Sequence, residues 1–232
     1  MCLFFGGEGV AVFILVLEMI GTVAFAVSGA MTGLKKRMDI FGVAILGLTT
    51  AVGGGVLRDL ILGITPPKTF QNPIYALIAI ATAIVLFIPP VHRLLIGRLP
   101  RFEQVLAVMD ALGLGIFTVV GIRNAFDVSN GFSGFLLIFV GVVTGVGGGI
   151  MRDVLAGDTP YIFVKHIYAV ASIIGAVVCV ILWRFVDSVW AMLAGTVIIV
   201  VIRVLSVHFR WNLPRARDYG DQDDSMNPRT RK

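Results

Sequence analysis

Gly53-Gly54-Gly55-Val56-Leu57-Arg58-Asp59 returns 94 residues later as Gly147-Gly148-Gly149-Ile150-Met151-Arg152-Asp153. The correspondence spreads outward from both copies. Thr65-Pro66 pairs with Thr159-Pro160, Ile74-Tyr75-Ala76 with Ile167-Tyr168-Ala169, Gly47 with Gly141 and Thr50 with Thr144. Further upstream the offset is 92, placing Glu18 opposite Asp110, Gly21 opposite Gly113 and Gly29 opposite Gly121. A two-residue difference in a connecting loop accounts for the change. Self-similarity at a fixed spacing marks a duplicated architecture.

The medium around the duplication follows from composition. Of 232 residues, 57% are hydrophobic and 14% charged, against about 25% charged in a soluble domain. Mean hydropathy is +0.94. A disordered chain, a disulfide scaffold and an ordinary soluble enzyme are excluded, and a membrane protein is indicated. A bilayer-crossing helix needs about 20 apolar residues. Seven segments qualify: 10–33, 40–62, 73–90, 103–121, 132–156, 161–183 and 188–207. The first lacks a basic leader and contains Glu18, so it reads as a retained span rather than a signal peptide.

Each copy holds three spans, an odd number, so the second enters the membrane from the opposite side. The expected fold is all-α and integral to the membrane. It has seven transmembrane helices, arranged as two inverted three-helix repeats plus a seventh helix. The implied division is 1–9 outside, 10–102 and 103–187 as the repeats, 188–208 as the seventh helix and 209–232 as a disordered cytoplasmic tail.

Basic residues orient the chain. With the N-terminus outside, the cytoplasmic side holds 13: Lys35, Lys36, Arg37, Arg93, Arg98, Arg101, Lys165, Arg210, Arg215, Arg217, Arg229, Arg231 and Lys232. The opposite loops hold three: Lys68, Arg123 and Arg184. This asymmetry predicts N-out and C-in. The net charge of +5 is thus explained by topology, and no nucleic-acid partner is expected. The stretch from Arg93 to Arg101 suits anionic lipid at the inner surface. Cys2 and Cys179 read as free thiols, and the scattered His92, His166 and His208 imply no metal site.

The repeated motif carries the chemistry. Three successive glycines weaken a helix by about 1 kcal/mol each relative to Ala. They permit a kink or break that bares carbonyls, or a close approach between helices. Arg58, Asp59, Arg152 and Asp153 lie in or near hydrocarbon, where a charge must pair or face water. Adjacent helical residues do not face one another, so each arginine is expected to reach a carboxylate on another span. Glu18 and Asp110 are the candidates. Thr49, Thr50, Thr144, Ser28, Thr22 and Thr118 could stand in for water around a cation, or bond their own helix. The motif charges sum to zero, and Glu18 with Asp110 brings the balance to −2. No phosphate loop and no nucleophile–base pair occurs, so an enzyme is not expected.

Paired Gly-Gly-Gly-x-x-Arg-Asp motifs on the second helix of each three-helix repeat resemble the prokaryotic relatives of the trimeric intracellular cation channels. These proteins are also called a glycine transporter family. The resemblance covers about residues 10–207. It implies a homotrimer in a bacterial inner membrane, with one pore per protomer and the second and fifth helices kinked at their glycines to line it. Gly53, Gly54, Gly55, Gly147, Gly148 and Gly149 then sit at the bends, with the four motif charges near the constriction. The implied activity is passive passage of potassium, with weak discrimination against sodium and no bound cofactor. The Lys-Glu-Val string of animal members is absent, so their lipid and voltage control is not transferred. The alternatives are secondary transport of glycine or another small zwitterion, and a scaffold with no flux.

Overall fold

The computed structural model describes residues 7–91, 99–128, 133–164 and 167–209. Cys2, His92, Arg93, Arg98, Lys165, His166 and the tail from Arg210 onward lie outside the described residues, as does the side chain of Arg101. All secondary structure in the described part is helical: α1 Gly7–Lys35, α2 Ile40–Ile61, α3 Lys68–Gln71, α4 Ile74–Phe87, α5 Leu99–Val128, α6 Gly134–Leu155, α7 Tyr161–Val164, α8 Tyr168–Leu182 and α9 Ser188–His208.

Five helices (α1, α2, α5, α6 and α9) are long and apolar enough to cross a membrane. The expected third and sixth spans are shorter. α4 has 14 residues and α8 has 15, roughly 21 and 23 Å at 1.5 Å per residue. α4 starts after Pro73, and the expected sixth span divides into α7 and α8. α5 is longer than expected, because Arg123 and Asp127 carry it past Gly121 through an ion pair one turn apart (3.1 Å). α5 also begins at Leu99, so the repeat boundary placed at 102/103 falls inside a helix.

Helix ends are set by ordinary capping chemistry. Asp39 Oδ1 accepts from Gly42 N at 2.7 Å to start α2, and Ser133 does the same for Leu136 N to start α6. Both glycine-triplet helices stop in the same way. Gly63 and Gly157 adopt φ of +72° and +71°. The following residues, Ile64 and Asp158, donate back to Asp59 O and Asp153 O at 2.8 and 2.9 Å, giving two Schellman caps 94 residues apart.

α2 and α6 run unbroken through their glycines, so the helix break expected at each triplet is absent, and with it any bared carbonyl. The triplets serve the close-packing alternative instead. A Cβ on Gly54 would overlap the carbonyl oxygen of Thr144, and one on Gly148 would overlap that of Thr50. These contacts exchange under the 94-residue offset. Under the 92-residue offset, Phe25 on α1 meets its own counterpart Phe117 on α5, rings stacked 5.3 Å apart. Gly21, Gly29 and Gly33 also pack inside the chain, against Phe117, Leu46 and Gly47, and Val43. Surrounding this seam, the largest apolar core joins Leu17 of α1 to Val119, Val120 and Ile122 of α5, Leu137 and Val140 of α6, Cys179 of α8 and Met192 of α9. Cys179 is a buried free thiol.

The connections gather at two ends. At one end Lys35 Nζ reaches Glu103 Oε1 and Lys36 Nζ reaches Asp158 Oδ1, both at 2.5 Å. At the other, Lys68 Nζ donates to Asn124 Oδ1 at 3.3 Å, and Arg123 lies 5.7 Å from the Trp183 ring centroid.

Candidate functional site

Each motif arginine lies at the C-terminal end of its helix, one turn before the Schellman glycine. The α2 and α6 helices are antiparallel across the seam, so the two arginines lie toward opposite ends of the molecule. Each bonds the adjacent aspartate: Arg58 Nε to Asp59 Oδ1 and Arg152 Nε to Asp153 Oδ1, both at 2.8 Å. The other aspartate oxygen holds the next short helix. Asp59 Oδ2 accepts from Lys68 N and Asp153 Oδ2 from Tyr161 N, each at 2.8 Å. This corrects the expectation that sequence neighbours cannot pair. The guanidinium is long enough to fold along the helix end onto a carboxylate that the loop already fixes.

Around Arg152 the network is buried, and only a smaller cavity of about 120 Å³ touches it, at Tyr161 and Arg203. Arg152 Nη1 donates to Asp110 Oδ1 on α5 and to Ser28 Oγ on α1, both at 2.5 Å. Its guanidinium also lies 4.9 Å from the Tyr161 ring centroid. The Arg152 and Asp110 side chains are each 1% exposed. Tyr168 donates to Asp110 Oδ1 at 3.4 Å. A second arginine, Arg203 of α9, places Nη2 3.7 Å from Asp110 Oδ2 and its guanidinium 4.6 Å from the Tyr168 ring centroid. Arg203 is buried, and sequence reasoning passed over it because it sits inside an apolar run with no repeat counterpart. That isolation was itself the available signal.

Around Arg58 the arrangement is open. Glu18 was the expected carboxylate for Arg58; instead its Oε2 accepts from Tyr75 at 2.5 Å. Arg58 keeps only Asp59 as an ion-pair partner among the described residues. A cavity of about 330 Å³ opens here, lined by Glu18, Thr22, Arg58, Lys68, Tyr75 and Asn124 with apolar neighbours from α1, α2 and α5. Tyr75, Lys68 and Asn124 were not singled out as site residues, although Tyr75 and Tyr168 occupy matching places in the repeat. Lys68 and Arg203 also correct the charge count. They bring the local balance from −2 to zero.

The hydroxyls divide. Thr49, Thr50, Thr118 and Thr144 each donate to their own helix, to Ile45, Leu46, Leu114 and Val140 carbonyls. Ser28 is bound by Arg152, and Thr22 lines the cavity at Arg58. Of the glycines, Gly53 packs on Met151, Gly147 on Leu57, Gly149 on Tyr168, and Gly55 near Thr69. No group of three or more metal-ligating side chains occurs among the described residues.

The fold and site define an all-helical membrane protein with a doubled Arg-Asp end beside a cavity of mixed lining. The chain belongs to the family whose model is described as glycine transporter, matched over residues 15–89 and 107–184. It is 39% identical over 203 residues to the inner membrane protein YadS of Escherichia coli K12, covering 85% of this chain and 93% of that one. Among solved structures it is similar to a prokaryotic TRIC channel in 0.5 M KCl, with a TM-score of 0.80, 28% identity and coverage of 88% and 100%. It is also similar to the trimeric intracellular cation channel orthologue from Rhodobacter sphaeroides, with a TM-score of 0.75, 33% identity and coverage of 85% and 98%.

Proposed function

We propose that this protein is a monovalent cation channel, permeable to potassium, with one pathway per protomer running beside α2 and α6. The observation that carries the reading is similarity to TRIC channels over nearly the whole chain, joined to a doubled site whose ionisable groups sum to zero. In this reading seven helices span the membrane as two inverted repeats and a seventh helix, with α4 and α8 as the short third and sixth spans. Grouping of the loops at two ends supports that alternation. The N-terminus lies outside, the basic loops and tail face the cytoplasm and anionic lipid, and the protein forms a homotrimer in the inner membrane. Potassium or sodium is the permeant, and no resident cofactor is part of the mechanism. Arg58 and Arg152 do not repel the ion because Asp59, Asp153 and Asp110 neutralise them at close range.

A second reading, transport of glycine or another small zwitterion, is favoured by the family model's description and by the mixed charge of the cavity at Arg58. Flux into proteoliposomes separates the two. Non-saturating potassium flux absent from empty vesicles identifies the channel; saturable glycine uptake without ionic current identifies the transporter.

A further inference from the structure

The Arg152 network shows what the Arg58 one lacks. Arg152 has a carboxylate, Asp110, on Nη1 as well as Asp153 on Nε. At the matching position, the Arg58 side chain is 6% exposed and lines the cavity. Its Nε is taken by Asp59, and neither Nη group has a hydrogen-bond partner among the described residues. Two differences between the halves leave this vacancy. The counterpart of Ser28 is Val120, which has no acceptor, and the Glu18 carboxylate is held by Tyr75. A buried guanidinium with unfilled donors is a strong recognition element for a planar carboxylate.

We infer that the cavity at Arg58 is a binding site for a small carboxylate, which takes the place on Arg58 that Asp110 holds on Arg152. Lys68 adds a second positive charge at the cavity wall, and Asn124 adds an amide. Glu18 and Tyr75 stand in the same cavity and supply acceptors for an ammonium group. The carboxylate is therefore a simple one, such as acetate, or that of a small α-amino acid, such as glycine. The volume of about 330 Å³ admits either with accompanying water, at about 30 Å³ per water molecule. The amino-acid form rests on the transporter reading; the simple-carboxylate form goes beyond both flux readings, since binding needs neither current nor uptake.

The test is equilibrium binding of radiolabelled acetate and radiolabelled glycine to the full-length protein in detergent. Saturable binding is expected. Arg58→Gln raises the apparent Kd about tenfold or more, and Lys68→Gln raises it several-fold. Lys68 is exposed, so the second variant keeps the test alive if the first fails to fold. Glu18→Gln tells the sources apart: weakened glycine with unchanged acetate supports the amino-acid form, and no change in either supports the simple carboxylate. Absence of saturable binding overturns the site, as does binding that neither Arg58→Gln nor Lys68→Gln alters. Potassium flux, measured after the same protein is reconstituted into proteoliposomes, keeps the two failures distinct. Flux without binding removes the site and leaves the channel.

Discussion

The Arg58 and Arg152 ends carry the same seven-residue motif, the same Schellman glycine and the same arginine–aspartate bond, yet one faces the larger cavity and the other is buried. The difference lies outside the motif. Ser28 and Asp110 both take Nη1 of Arg152, and Arg203 brings a further charge from a helix that has no repeat counterpart. On the other side Val120 replaces the serine, and Glu18 turns to Tyr75. A duplicated motif thus supplies a scaffold, and its neighbours decide whether the end is closed or accessible.

The largest effect is expected at Asp110. Asp110→Ala leaves Arg152 and Arg203 buried without their shared carboxylate, a loss of about 3–5 kcal/mol, read as a drop in thermal stability by size-exclusion chromatography in detergent. Glu18→Ala, its counterpart, removes one hydrogen bond beside a cavity and costs about 1–2 kcal/mol. Equal losses would erase the distinction between the ends. Next comes the glycine seam. Gly54→Ala overlaps the Thr144 carbonyl and is expected to destabilise by about 1–3 kcal/mol. Gly55→Ala meets Thr69 Oγ1 at 3.4 Å, an ordinary contact, and should leave stability nearly unchanged in the same assay.

Arg203→Leu tests the seal directly. Removing the α9 guanidinium loosens the hold on Asp110, and potassium flux in proteoliposomes is expected to rise several-fold; unchanged flux would place the closure elsewhere. The smallest effect belongs to the exposed pair Lys36–Asp158. Lys36→Ala should cost no more than about 1 kcal/mol, less still at high salt.

The duplication, the triplets and the placement of Glu18 opposite Asp110 were all legible as spacing, because repetition needs no three-dimensional information. The reach of Arg152 to Asp110 followed from the cost of an unpaired charge in hydrocarbon. The Arg58–Asp59 bond was not legible. The neighbour rule describes where Cβ atoms point, not how a long guanidinium folds at a helix end. Nor was the role of the triplets decided by composition. Glycine lowers helix propensity and also permits close contact, and here the neighbouring helix won, holding α2 and α6 unbroken. Arg203 escaped because it lies outside the repeat, where comparison of the halves has nothing to compare.

At the seam Gly54 meets only main-chain atoms, and Gly148 meets the Thr50 main-chain carbonyl with the Phe25 ring beside it. Main-chain atoms are the same in every sequence, so this part of the crossing does not depend on which side chains surround it. After a duplication, the residues around each arginine were therefore free to diverge, one set becoming a lock and the other a receptacle, without shifting the frame that both hang from.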